Sequence, residues 1–200
     1  MSTKHDILEA SVPVFAEHGY HGASVRGLCA AAGVNVAAIN YHFGDKASLY
    51  AAVLTHIYEA LAPSPMPRVD VADPGATTLQ AWVQWYLERL THPKAALVDR
   101  LAVHERSRPT GALSKLARES MQPVFDGLCA ILRHAADPRV DEDTIARTAL
   151  SVVGQCLLYR GSTGLLEQVQ GVPDMDLDAV TAHVTALTIA GLEHAGRVPS

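Results

Sequence analysis

Residues 33–46 read GVNVAAINYHFGDK and bring three hydrogen-bond donors together: the phenol of Tyr41, the ring N–H of His42 and the ammonium of Lys46. Groups of this kind bind phosphate oxygens. The residues before them, Val36, Ala37 and Ala38, are small. Small side chains let a helix backbone approach base edges, and a methyl packs on a thymine methyl. A short helix that is small at its start and rich in donors at its end suits the major groove of DNA. Other combinations carry less chemistry. His18 and His21 have ligand-like spacing, but they straddle a predicted turn and no third ligand is near in sequence, so no metal site is assigned. Cys156 lies in an apolar helical pattern with no adjacent base and reads as an inert buried thiol. GSTG at 161–164 lacks the strand and lysine of a phosphate loop and reads as a turn. No Ser/His/Asp order stands out among the ten histidines, so no catalytic residue and no cofactor is assigned.

Helices must position the donor-bearing stretch. KHDILEASVPVFAEHG places Ile7, Leu8, Val12, Phe15 and Ala16 at helical spacing up to Gly19, with a kink expected at Pro13. Ser24 is a natural N-cap for a second helix with Val25, Leu28, Cys29 and Ala32 inward, and Gly33 stops it. Asn35 caps a third helix, about 36–42, with Ile39 inward. Asp45 opens a fourth, with Leu49, Val53, Ile57 and Leu61 as its buried stripe. Two short helices joined by a tight glycine-containing turn form a helix-turn-helix, whose second helix enters the major groove.

The remainder also reads as helix. Four prolines within APSPMPRVDVADPG, residues 62–75, forbid a continuous helix and mark a domain junction. Helical patterns then run over about 75–91, 93–106, 110–136 with a kink expected at Pro123, 143–160 and 176–195, and no alternating strand pattern appears. The predicted architecture is all-α, with a DNA-binding domain over 1–61, including a connecting helix over 45–61, and a second helical domain over 62–200. The 200 residues carry a net charge of −5. This argues against a protein that coats nucleic acid or membranes broadly, but not against a local contact. Three separated cysteines fit reduced thiols in the cytoplasm better than a disulfide framework. No signal peptide or transmembrane span is read from the sequence.

The stretch from Gly22 to Leu54 resembles the DNA-binding domain of TetR-family transcriptional regulators. The motif is AINYHFGDKASL, carried by Ala38, Ile39, Asn40, Tyr41, His42, Phe43, Gly44, Lys46 and Leu49. RESMQPVFDGLCAILRHA and ALSVVGQCLLYR resemble the C-terminal domain of the CecR-like branch of that family. Motif and resemblance together assign DNA contacts to Ser24, Arg26, Asn35, Val36, Ala37, Ala38, Asn40, Tyr41, His42 and Lys46. Gly27 stands where relatives often carry the acidic residue of a capping box, and Val36 where many carry a polar one. Residues 1–50 hold Lys4, Arg26 and Lys46 against Asp6, Glu9, Glu17 and Asp45. With no basic excess, phosphate binding is expected to lean on backbone N–H groups at helix N-termini.

In the C-terminal part, Trp82, Trp85, Tyr86, Leu101, His104, Phe125, Cys129 and Tyr159 are the candidate lining of an apolar ligand pocket. Small residues on the last two long helices, near 143–160 and 176–195, fit either buried core helices or a four-helix interface between two subunits. The family resemblance implies the interface. The expected function is a ligand-responsive regulator, a repressor, that binds a palindromic operator as a homodimer and is released by a small, largely apolar effector. Two alternatives stand beside it: redox sensing through Cys156 or Cys129 on the same fold, and a helical enzyme or carrier without a DNA role.

Overall fold

Each of the first four helices begins at a side chain that accepts a hydrogen bond from the first turn. In α1, Lys4–Gly22, Thr3 and Asp6 form a reciprocal capping box. Ser24 accepts from the Gly27 amide to start α2, Val25–Ala32. Asn35 accepts from the Ala38 amide to start α3, Val36–Phe43. Asp45 accepts from the Ser48 amide to start α4, Lys46–Ala60. Helices as short as α2 and α3 are marginal alone, so caps and burial decide whether they form. Gly33 ends α2 in the left-handed conformation, at φ 64°, where a side chain would be strained.

The rest of the chain adds α5, Ala76–Thr91, α6, Ala95–Ser107, and α7, Ala112–Leu116. A π-type turn, Ala117–Met121, leads into α8, Gln122–Ala135. Then come α9, Glu142–Gly161, and α10, Leu177–Ala195. This computed structural model describes residues 3–62, 64–73, 75–161 and 176–197, and among them there is no strand. The GSTG turn at 161–164 lies outside the described residues except for Gly161. Among the described residues no helix is long and apolar enough to cross a membrane.

Two kinks expected from proline are handled differently in the structure. At Pro13 the backbone stays helical, and the break falls at Gly19, with φ 63° and ψ −179°. A Cβ at Gly19 would lie 2.8 Å from the His104 ring, so glycine lets α1 turn and α6 pack close. At Pro123 the preceding turn has widened to π geometry. A wider turn accommodates the proline ring, which would otherwise meet the carbonyl four residues back.

Two compact units result. The first takes residues 1–61 together with 93–122, so that α6 and α7 pack with α1–α4. Its core holds Ile7, Phe15, Leu28, Ile39, Leu49, Tyr50, Val53, Ile57, Leu101 and Leu116. The second takes residues 62–92 together with 123–200, with α5 packed on α9 and α10. Its core holds Leu79, Trp82, Val83, Leu128, Leu132, Ile145, Ala149, Val152, Cys156 and Val184.

Gly75 tests the second unit. It opens α5 at φ 94°, and a Cβ there would sit 2.6 Å from the Cβ and 2.8 Å from the Cα of Ala135. A left-handed backbone costs a side chain about 1–2 kcal/mol before any clash. Gly75→Ala should therefore destabilise the protein by about 2 kcal/mol or more, seen as a lowered midpoint in denaturant unfolding.

Candidate nucleic-acid interface

One side chain turns α3 to face outward. Ile39 is buried in the core of the first unit, and burying a side chain of that size contributes about 1.5–3 kcal/mol. With Ile39 inward, Val36, Ala37, Asn40 and Tyr41 are exposed and Ala38 is half-buried. Tyr41 is 85% exposed, an unusual position for so large a ring unless it has a partner to meet. The outward face of α3 thus runs from a capped N-terminus, over two alanines, to a phenol.

Nine of the ten residues assigned from sequence fall into three groups. Val36, Ala37, Ala38, Asn40 and Tyr41 form the face of α3 just described, and Arg26 is exposed on α2. Ser24 and Asn35 are exposed, but their side-chain oxygens are engaged as caps. They hold the N-termini of α2 and α3, where free amides and the helix dipole favour an anion. His42 is half-buried, its ring edge-on to Tyr41 at 5.0 Å and 6.4 Å from Phe43.

Lys46 is placed differently from the phosphate contact expected of it. Its ammonium donates to the carbonyl oxygens of Tyr20 at 2.8 Å and Ala23 at 2.9 Å. It also lies 4.3 Å from the centre of the Tyr20 ring, within cation–π range. Lys46 therefore ties the first turn of α4 to the corner between α1 and α2. The sequence holds no signal for this, because the acceptors are backbone carbonyls that any residue supplies. A lesser tie of the same kind sets Lys4 5.5 Å from the centre of the Phe43 ring.

The eight pocket residues divide between the units. Trp82 and Trp85 are buried in the core of the second, with Tyr86, Phe125, Cys129 and Tyr159 packed against it. Trp82 stacks on Tyr86 at 4.8 Å and an interplanar angle of 17°. The Trp85 indole donates to the Ser64 carbonyl at 2.9 Å. The Trp82 Nε1–H is buried without an acceptor among the described residues. Leu101 and His104 belong to the first unit, where Leu101 is core and His104 packs on Gly19. Six of the eight thus share the second core, and two belong to the first unit.

The last two helices each carry apolar residues on both buried and exposed faces. Ala149, Val152 and Cys156 on α9 are buried, whereas Gly154 is exposed. On α10 Val180 and Val184 are buried, and Leu187 is 53% exposed. Leu150, Leu157 and Leu158 on α9 are likewise exposed, and among the described residues nothing outside the helix's own nearby backbone lies within 4 Å of a Cβ built at Gly154 or Gly191.

Comparison with known proteins gives this arrangement a class. Residues 7–53 match the family of bacterial regulatory proteins, tetR family. Residues 77–192, more than half of the chain, match the C-terminal domain of the HTH-type transcriptional dual regulator CecR. The chain belongs to the TetR family of transcriptional regulators and carries a C-terminal domain of the CecR type. It is 27% identical over 195 residues to the HTH-type transcriptional repressor NicS of Pseudomonas putida, covering 93% of this chain and 89% of that one. In fold it is similar to the Flavonoid-responsive Regulator FrrA, with a TM-score of 0.71 and 19% identity over 94% and 95% of the two chains. It is also similar to AibR in complex with isovaleryl coenzyme A and operator DNA, with a TM-score of 0.60 and 16% identity over 92% and 96%.

The Lys46 tie predicts its own mutant. Lys46→Met removes two charge-assisted hydrogen bonds and should lower stability by about 1.5–3 kcal/mol. Affinity for all DNA sequences should fall together, while the slope of log affinity against log salt stays as in wild type, because no phosphate contact is removed. A shallower slope would return Lys46 to the phosphates.

Proposed function

We propose that this chain is a repressor that binds a palindromic operator as a homodimer and is released by a small, largely apolar effector. The observation that carries the DNA-binding part is the outward face of α3, in which Ala37 and Asn40 are exposed and Tyr41 stands free of the core. Two such helices, one from each protomer, would occupy successive major grooves about one helical turn apart. Arg26, Val36, Ala37, Ala38 and Asn40 meet bases or the adjoining backbone. Tyr41 and His42, with the N-termini capped by Ser24 and Asn35, meet phosphates. The exposed leucines of α9 and α10 supply apolar surface for the second subunit. The protein would act in the cytoplasm, beside the chromosome.

Support for the effector comes from Trp82. A buried indole N–H without an acceptor costs about 1–3 kcal/mol, a cost that a ligand carbonyl would remove. Stacked Trp82 and Tyr86, with Phe125, Cys129 and Tyr159 packed on the same core, offer the apolar surroundings for the rest of such a molecule. The AibR complex with isovaleryl coenzyme A and operator DNA makes a short acyl thioester a reasonable first compound to test. An effector that favours the form with mismatched groove spacing weakens operator binding by the factor by which operator weakens effector binding, typically about 1–3 kcal/mol.

Redox sensing has less support. Burial pushes the Cys156 thiol up to about 12, so at neutral pH almost none of it is the reactive thiolate. Burial also raises Cys129, although Arg133 partly offsets the rise. In native protein a maleimide reagent should modify Cys156 only on unfolding, and Cys156→Ser should leave operator affinity unchanged under mild oxidation. Rapid labelling of native Cys156 would revive the redox reading.

The central experiment selects bound DNA from a random pool and then titrates effector candidates against the selected site. Ala37→Leu should abolish specific binding while leaving the fold and dimer intact, since Ala37 faces outward. The chain has two tryptophans, both in the second core, so an effector bound there should quench their fluorescence over the same concentration range that releases DNA. Ala37→Leu with wild-type specificity would reject α3 as the reader. Quenching without release would reject the regulatory coupling.

A further inference from the structure

We propose that His5, Glu9 and His56 form a site for a divalent transition metal, with zinc the ion best matched to its donors. His5 and Glu9 stand one turn apart on α1, and His56 comes from α4, so three ligands from two helices of the first unit converge. Their ligand atoms all lie within 4.8 Å of one another. His56 Nε2 and Glu9 Oε1 are 2.7 Å apart, and the His5 and His56 rings meet edge to face at 5.5 Å. Zinc binds imidazole nitrogen and carboxylate oxygen at about 2.0–2.2 Å, which sets neighbouring tetrahedral ligands about 3.3 Å apart. Small side-chain rotations reach that spacing from the one observed.

The chemistry of the donors selects the ion. Two imidazoles and one carboxylate favour zinc, nickel or cobalt over magnesium and calcium, which prefer all-oxygen sets. A zinc ion would take the place of the hydrogen bond between Glu9 and His56, bound by the His56 Nε2 lone pair and a Glu9 carboxylate oxygen. The hydrogen bond from His56 holds the Glu9 carboxyl below its usual range, with a smaller contribution from Lys94, so the carboxylate is already ionised. Lys94 Nζ is 3.9 Å from Glu9, and both side chains are nearly half exposed. A pair of this kind is weak, and the lysine can move into solvent when a cation arrives. Beside the site lies a cavity of about 270 Å³ lined by Glu9, Val12, Pro13, His56, Lys94 and Leu97, among others. It leaves room for water to complete the coordination, as at zinc sites with three protein ligands.

The ion would join α1 to α4, the helix that follows the DNA-reading helix in sequence, and stabilise the first unit by mass action. This inference does not depend on the identity of the operator or effector. His18 and His21, the pair whose spacing first suggests metal, are not part of the cluster.

The test is a calorimetric titration of untagged, chelator-treated protein with zinc chloride, paralleled by cobalt absorption. One ion should bind per chain with micromolar or tighter affinity and raise the melting temperature. His5→Gln, Glu9→Gln and His56→Gln should each weaken binding at least about tenfold, the loss seen when even an outer-shell partner is disturbed. A His18→Gln, His21→Gln double variant should bind as wild type. His5 is exposed, so His5→Gln tests the site without disturbing the core, and metal-free melts show whether the other variants fold. Absence of micromolar binding in wild type, or unchanged binding in any folded single-ligand variant, would overturn the site.

Discussion

The Lys46 ammonium holds together the part of the molecule that presents α3. It donates to two carbonyls at the α1–α2 corner and rests against the Tyr20 ring. The first turn of α4 is thereby fixed to the start of the helix-turn-helix, and α3 lies between the two in sequence. A cation suits this task because several carbonyl dipoles can converge on one point charge, and the stem of lysine reaches them over apolar surface. The sequence motif around Lys46 therefore serves geometry as well as recognition. Tyr41 meets solvent because Lys46, Ile39 and the caps keep everything around it in place.

Charge is used sparingly in this domain. The first 50 residues have no excess of lysine and arginine, and one of the three cations is engaged with carbonyls. Oriented amides at the starts of α2 and α3 remain, held by Ser24 and Asn35. Such groups are fixed in direction and carry partial positive charge without a counter-anion. A DNA-binding surface of this kind would show a shallower dependence on salt than one lined with lysine, because fewer counterions leave on binding. The overall net charge is then no guide to the local surface.

The second unit is organised around rings. Trp82 and Tyr86 stack, Trp85 finds a carbonyl, and the Trp82 indole is left without an acceptor among the described residues. An all-aliphatic core would avoid that cost, so the indole signals either tolerated strain or a missing partner. Thr185 and Thr188 on α10, also buried, turn their hydroxyls back to the carbonyls of Thr181 and Val184. Among the described residues of this core, the Trp82 indole stands in contrast to these threonines.

Sequence alone determined whatever depends on local chemistry. The caps at Ser24, Asn35 and Asp45, the stop at Gly33 and the inward stripe of α4 follow from side-chain hydrogen bonding and 3.6-residue periodicity, which act over a few residues. The outward face of α3 was legible for the same reason: Ile39 is the large aliphatic in a run of small residues. Tertiary structure decided the rest. Pro13 leaves α1 unbroken and the chain bends at Gly19, where His104 comes close. Leu101 and His104 join the first core and not the ring-lined one, because α6 packs on α1. Lys46 finds the carbonyls of Tyr20 and Ala23, and His5 and Glu9 find His56, contacts between residues far apart in the chain. Periodicity tells which face of a helix is buried, but not which helix it is buried against, and carbonyl acceptors look the same in every sequence.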